Sequence, residues 1–213
     1  MHFLPRKISD ATIRRLSAYL RELERQAGAG TETVSSGELA DGVGTTAPQV
    51  RKDLSIFGSF GKRGTGYRVE TLSGELRAIL AVDREWRVVL IGAGRIGAAL
   101  HAYPGFRDRG FQIVAVLDVD REKVGREVGE SRVAHVDTLE EVIRGEGVEL
   151  AILAVPAGAA VELARRAVEA GVRGILNFAP VRLDLPEEIA VNPVNLAAEL
   201  EVLSYSIEGR KPR

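Results

Sequence analysis

Apolar residues at Ile13, Leu16, Leu20 and Leu23 recur in steps of three, four and three, the spacing of one helical face. Ser9-Asp10 supplies a cap ahead of them, and Gly28 to Gly30 marks the end. A second, short helix opens on Ser35-Ser36-Gly37-Glu38, a capping box from Ser35 to Glu38; it carries Leu39 and Ala40 and stops at Gly42, with Gly42-Val43-Gly44 as a tight turn. A third starts behind Thr45-Thr46, takes Pro48 in its first turn and buries Val50, Leu54 and Phe57, leaving Gln49, Arg51, Lys52 and Ser55 outward. Beyond Gly58, the glycines at 61, 64 and 66 and the alternation of Tyr67 with Val69 predict a β-hairpin with Lys62 and Arg63 at its tip.

From residue 85 the rhythm changes to apolar strands followed by helices. Trp86 to Ile91 reads as a strand leading into Gly92-Ala93-Gly94-Arg95-Ile96-Gly97 and a helix. Gln112 to Leu117 is a second strand and Arg132 to Val136 a third. Then come a helix over Leu139 to Arg144, a strand over Val148 to Val155, a helix over Ala159 to Ala170 stopped by Gly171, and a strand over Gly174 to Phe178. Alternating units of this kind build a parallel sheet with helices on both faces. The last element, Val194 to Ile207, carries Leu196, Leu200, Leu203 and Ile207 as a continuous apolar stripe, which packs either on its own sheet or across a dimer interface. The boundaries are 1–80, 81–193 and 194–213.

Composition adds exclusions. At 213 residues, 45% hydrophobic and 28% charged, the chain is long enough for one large domain or two small ones and too ordinary for disorder or collagen. No apolar run reaches the roughly 18 residues of a membrane span, and Met1 to Lys7 turns basic without the apolar core of a signal peptide, so a cytoplasmic location follows. With Cys 0 there is no disulfide, thiolate metal site or Cys nucleophile. The three His, at 2, 101 and 135, lack metal-ligand spacing, and no metal is expected.

Charge matters locally. The net charge is -1, yet between Ala47 and Arg68 stand Arg51, Lys52, Lys62, Arg63 and Arg68 against Asp53 alone. A short helix, a glycine turn and a second helix with outward Gln, Arg and Lys form the helix-turn-helix pattern, and a basic hairpin after it is a wing; together they point to duplex DNA. A three-helix docking domain is the plainer alternative.

The second half has its own chemistry. GxGxxG between a strand and a helix is the dinucleotide fingerprint: Gly92 makes the turn, Gly94 admits the pyrophosphate and Gly97 lets helix and sheet close. Asp118 lies 21 residues past Gly97, where a carboxylate accepts from a ribose 2'-OH and repels a 2'-phosphate, favouring NAD(H) over NADP(H). Only about 18 residues follow the fold, too few for a substrate domain, and His101 and His135 are the only realistic His bases. A cofactor without substrate machinery argues for a sensor, with an NAD-dependent oxidoreductase or a coenzyme A-binding regulator as the competing readings.

At this point the residues resemble a known family, the Rex redox-sensing transcriptional repressors of bacteria, over nearly the whole chain. The resemblance is carried by Ser35 to Ala40, Gln49 to Leu54, Phe57 to Gly61, Gly64 to Tyr67, Gly92 to Gly97, Tyr103 to Phe106, Asp118 to Asp120, Val155-Pro156 and Gly174 to Pro180. It implies a winged helix-turn-helix domain, a Rossmann-type doubly wound parallel sheet and an exchanged C-terminal helix in a homodimer. It implies a palindromic DNA operator, released by NADH, with NAD⁺ competing. The cofactor residues so implied are Gly92, Ala93, Gly94, Arg95, Ile96, Gly97, Tyr103, Asp118, Val119, Asp120, Lys123, Val155, Pro156, Asn177, Phe178, Ala179 and Pro180. The DNA residues are Ser35, Ser36, Gln49, Arg51, Lys52, Ser55, Lys62, Arg63, Gly64 and Tyr67. Coupling is implied at Arg21, Tyr103 and Asn195; the last departs from the family's Asp, and a neutral Asn cannot form an ion pair with Arg21.

Overall fold

The computed structural model describes residues 8–61 and 65–209; the chain start Met1 to Lys7 and the wing-tip residues Lys62, Arg63 and Gly64 lie outside them. The chain divides into two units, Met1–Arg84 and Glu85–Arg213. The division falls after residue 84 rather than 80 because Leu80 and Val82 still pack on the first unit's core.

In the first unit, α1 (Asp10–Gly28) is capped by the Ser9 hydroxyl, which accepts from Thr12 N–H, and buries Leu16, Tyr19, Leu20 and Leu23. Ile13 is 37% exposed, one turn short of that core. β1 (Thr33–Val34) leads into α2 (Ser36–Val43), whose capping box forms as the spacing predicts. The helix runs one residue past Gly42, and the left-handed position is Gly44 (φ 70°), which moves the turn to Gly44-Thr45. α3 (Ala47–Ser55) is capped by Thr46 and buries Val50, Asp53 and Leu54.

β2 (Tyr67–Arg68) pairs antiparallel with β1, Val34 opposite Tyr67. Val69 is not on that strand: it opens α4 (Val69–Ile79), a fourth helix that the alternation of Tyr67 and Val69 conceals. Val69, Leu72 and Leu76 face the core, and Arg77 donates to Glu24 of α1 across 2.6 Å.

The second unit runs β3 (Trp86–Ile91), α5 (Arg95–His101), α6 (Pro104–Arg107), β4 (Phe111–Asp118), β5 (Glu127–Val128), β6 (Ser131–His135), α7 (Leu139–Gly145), β7 (Leu150–Leu153), α8 (Ala157–Ala170), β8 (Gly174–Asn177), β9 (Ala190–Pro193) and α9 (Leu196–Glu208). The sheet order is β5-β6-β4-β3-β7-β8-β9, parallel except for β5. Without that short outer strand the order is 3-2-1-4-5-6, the doubly wound arrangement of dinucleotide folds.

Strand alternation sorts the core into two layers. Val89 and Ile91 face Leu139, Ile143, Ala160 and Ala164 of α7 and α8. Val88 and Leu90 face the other way, with Val116, Val133 and Leu100. α9 belongs to the second unit, yet Leu196, Leu200, Leu203 and Ile207 are all more than half exposed.

Candidate functional site

The glycine loop lies where the strand order reverses, between the carboxyl ends of β3 and β7. Gly92 has φ +106°, and a Cβ there would meet Ala154 O at 2.3 Å. A Cβ on Gly97 would stand 1.9 Å from Gly92 O, so the third glycine is required by close approach of helix and loop. At Gly94 a Cβ would meet nothing within 4 Å, and Gly94 caps α5 without any side-chain acceptor. The two outer glycines thus serve the loop's own packing, and the middle one faces open space.

Asp118 ties this loop to β4. Its Oδ2 accepts from Ala93 N–H at 2.7 Å and from Lys123 Nζ at 3.0 Å, and its Oδ1 accepts from Asp120 N–H at 2.8 Å. Burial works to raise the Asp118 carboxyl, but these donors outweigh it and hold it below the ordinary carboxylate range. With three of about four lone-pair directions used, Asp118 organises the loop and keeps one acceptor direction. Val119 beside it is 72% exposed.

A cavity of about 750 Å³ adjoins the loop. It brings together Ile96, Phe178, Ala179, Pro180 and Asn195 from the predicted set. Its other walls, Val181 to Leu183, Val191, Pro193, Val194 and Leu196, were not in that set. Asn177 borders the cavity but spends its amide internally: Nδ2 donates to Val181 O and Oδ1 accepts from Ala179 N–H, both at 2.9 Å, which shapes the Phe178-Ala179-Pro180 turn. Val155, Pro156 and Tyr103 are not among the cavity's walls. Val155 flanks Gly92 instead, and Tyr103 is 57% exposed with its ring edge-on to Phe106.

Both candidate His bases have structural employment. His135 Nδ1 accepts from Asp137 N–H, leaving Nε2–H to donate to Val119 O at 3.1 Å. His101 Nε2 pairs with Ser131 Oγ at 2.9 Å. Among the described residues no group of three metal-ligating side chains converges.

The first unit carries a second cavity of about 470 Å³, between the start of α2, one face of α3 and β2. Ser35, Ser36, Arg51, Ser55 and Tyr67 line it, and Arg51 Nη1 donates to Ser36 Oγ at 2.8 Å. Leu54, Gly58 to Gly61 and Gly66 complete the wall. Lys52 and Gln49 stand outside it, and Gln49 donates to Asp53 Oδ1 at 2.7 Å. Of the residues expected to couple the units, Arg21 donates to Ser17 Oγ at 3.5 Å, and Asn195 caps α9 by accepting from Ala197 and Ala198 N–H.

Comparison with known proteins covers both units. Residues 7–55 match the family model "Putative DNA-binding protein N-terminus" and residues 83–181 the model "CoA binding domain". A redox-sensing transcriptional repressor Rex of Carboxydothermus hydrogenoformans is 51% identical over 201 residues, 94% of this chain and 97% of its own. The Rex of Thermus thermophilus is 47% identical over 207 residues, 97% of each chain. The crystal structure of RSP, a Rex-family repressor, in complex with β-NAD⁺ and operator DNA superposes with a TM-score of 0.89 at 34% identity, covering 97% of this chain and 99% of that one. RSP in complex with β-NADH gives 0.87, also at 34% identity, over 96% of each chain.

Proposed function

The chain belongs to the Rex family of redox-sensing transcriptional repressors, and we propose that it binds a palindromic operator through its N-terminal unit and releases it when NADH occupies its C-terminal unit. The observation that carries this reading is the union, in one chain, of a capped helix-turn-helix unit with a 3-2-1-4-5-6 dinucleotide sheet. RSP has been seen with β-NADH in one structure and with β-NAD⁺ and operator DNA in another.

The cradle fits the cofactor. Gly94 leaves room for the pyrophosphate, Asp118 keeps an acceptor direction for the adenosine ribose, and its charge disfavours a 2'-phosphate. At the other end Phe178, Ala179 and Pro180 give the cavity an apolar wall. Such a wall suits a neutral dihydronicotinamide better than its cationic oxidised form, and that difference is what a redox switch needs, since equal affinity for both states would shift nothing. Phe178→Ala should therefore narrow the ratio of NADH to NAD⁺ affinity.

Ser35, Ser36, Arg51, Ser55 and Tyr67 line the groove of the first unit and, with Lys52, offer hydroxyl and cationic donors to a phosphate backbone. Lys62, Arg63 and Gly64, expected at a wing tip, lie outside the described residues. The exposed apolar stripe of α9 supports a homodimer, which supplies the two-fold axis that a palindrome needs. Regulation rather than turnover is supported by relatives named as transcriptional repressors, and a DNA partner puts the protein in the cytoplasm.

Selection from random duplexes, titrated in parallel with NADH, NAD⁺, NADPH and coenzyme A at fixed salt, tests this reading. A palindrome released by NADH and not by the other three supports it. Failure to select any sequence, with NADH still bound, overturns it in favour of an oxidoreductase. Release by coenzyme A overturns the signal alone.

A further inference from the structure

Asp53 is an acidic residue on a helix whose neighbours are basic, and it is 1% exposed. Its carboxylate is filled from two helices. Arg15 of α1 approaches side-on, Nε to Oδ2 at 2.6 Å and Nη2 to Oδ1 at 2.7 Å; Tyr19 OH donates to Oδ2 at 2.9 Å; Gln49 Nε2 donates to Oδ1 at 2.7 Å. Burial works to raise the Asp53 carboxyl, but these three partners hold it below the ordinary range, so it is ionised and can only accept.

An acceptor-only partner fixes the polarity of an amide. Facing a carboxylate, Gln49 must present Nε2 rather than Oε1, which leaves its second N–H and its Oε1 for an outside ligand. Gln49 stands in the first turn of α3, half-buried, at the part of a recognition helix that meets base edges. One donor beside one acceptor on an amide is the complement of the adenine major-groove edge, N7 and N6–H.

We infer that Asp53, braced by Arg15 and Tyr19, is a positioning residue that orients the Gln49 amide to read an adenine in each half-site. The inference rests on the DNA-binding reading above and adds to it a base, a reader and the group that aims the reader.

The test uses the full-length chain, its selected operator, every single-base variant of one half-site and an unrelated duplex, with affinities measured by fluorescence anisotropy at fixed salt. In the wild type, replacing one A·T pair should cost about 5- to 100-fold, the range of a bidentate base contact. Gln49→Ala should abolish that discrimination at that position alone. Asp53→Asn, which lets the amide turn over, should flatten the same position while binding to the unrelated duplex stays unchanged. Tyr19→Phe, which removes one donor and little volume, should flatten it partially and serves if Asp53→Asn does not fold. If the Asp53 or Tyr19 variants weaken all positions and the unrelated duplex equally, the network is a brace for the fold and the inference fails. It fails also if Gln49→Ala leaves the base profile intact. A wild-type chain that selects no operator overturns the DNA-binding reading itself.

Discussion

The backbone N–H of Ala93 donates to Asp118 Oδ2 at 2.7 Å, so the loop that follows β3 is fastened to the end of its neighbour β4. One carboxylate therefore shapes the loop, and in the proposed function it also accepts from the ribose. Asp118→Ala should weaken NADH binding about tenfold or more, because it strips an acceptor from a loop N–H and from the ligand together. It should also narrow the preference for NADH over NADPH. Titration of NADH and NADPH fluorescence checks both.

The glycines of that loop should separate by kind of damage. Gly94→Ala, with open space around its Cβ, should leave the melting temperature unchanged and lower cofactor affinity. Gly97→Ala would press a methyl onto Gly92 O and should cost about 1–3 kcal/mol of stability, in the range of overpacked sites. Thermal melts beside NADH titrations distinguish the two; equal destabilisation by both would contradict the assignment.

Asn195 accepts from Ala197 and Ala198 N–H, so its first duty is to start α9. Asn195→Ala should cost about 1 kcal/mol as a lost N-cap. Asn195→Asp keeps the acceptor, adds a charge suited to a helix start, and supplies the residue that the family resemblance leads one to expect. If an ion pair with Arg21 transmits the signal, Asn195→Asp should lower the NADH concentration that releases operator DNA, and Arg21→Gln should remove that gain.

Much of this was legible in the chain. The switch of period at Trp86 announces the sheet, and the capping box at Ser35 fixes the start of α2. Contacts that cross long stretches of sequence were not legible. Local spacing turns Gln49 outward, but Arg15, 38 residues earlier, makes Asp53 a buried anion that draws the Gln49 amide to it. α4 was hidden because Tyr67, Arg68 and Val69 mimic strand alternation. The cavity wall from β9 went unseen because Asn192 and Pro193 carry no strand signal.

Leu203→Arg should test the role of α9. Leu203 is 58% exposed on a stripe with Leu196, Leu200 and Ile207, so its loss should not unfold the second unit. A shift from dimer to monomer in sedimentation, with NADH binding retained and operator affinity lost, is expected.

Acid should act through Glu140. Its carboxyl is pulled down to about 2 by the two-pronged bond from Arg166, against opposing burial. A depressed folded value stabilises fully above the unfolded one, about 4.3, and that contribution disappears as pH falls toward 2. Urea unfolding of wild type and Glu140→Gln should differ at pH 7 and converge near pH 2; an undiminished difference there would rule the pair out as the source.

The two margins of the large sheet bear on how copies of this chain can meet. One margin is β5, two residues long. Along the other, Ala190 and Val194 turn their N–H groups inward to β8, so the outward ones belong to Val191 and to Pro193, and proline has none to offer. A strand arriving at either side would find few backbone N–H donors. Growth of the sheet into a fibre is thereby discouraged at both ends, and the exposed apolar stripe of α9 lies on a helix, which under the proposed homodimer is satisfied by a single companion and then stops.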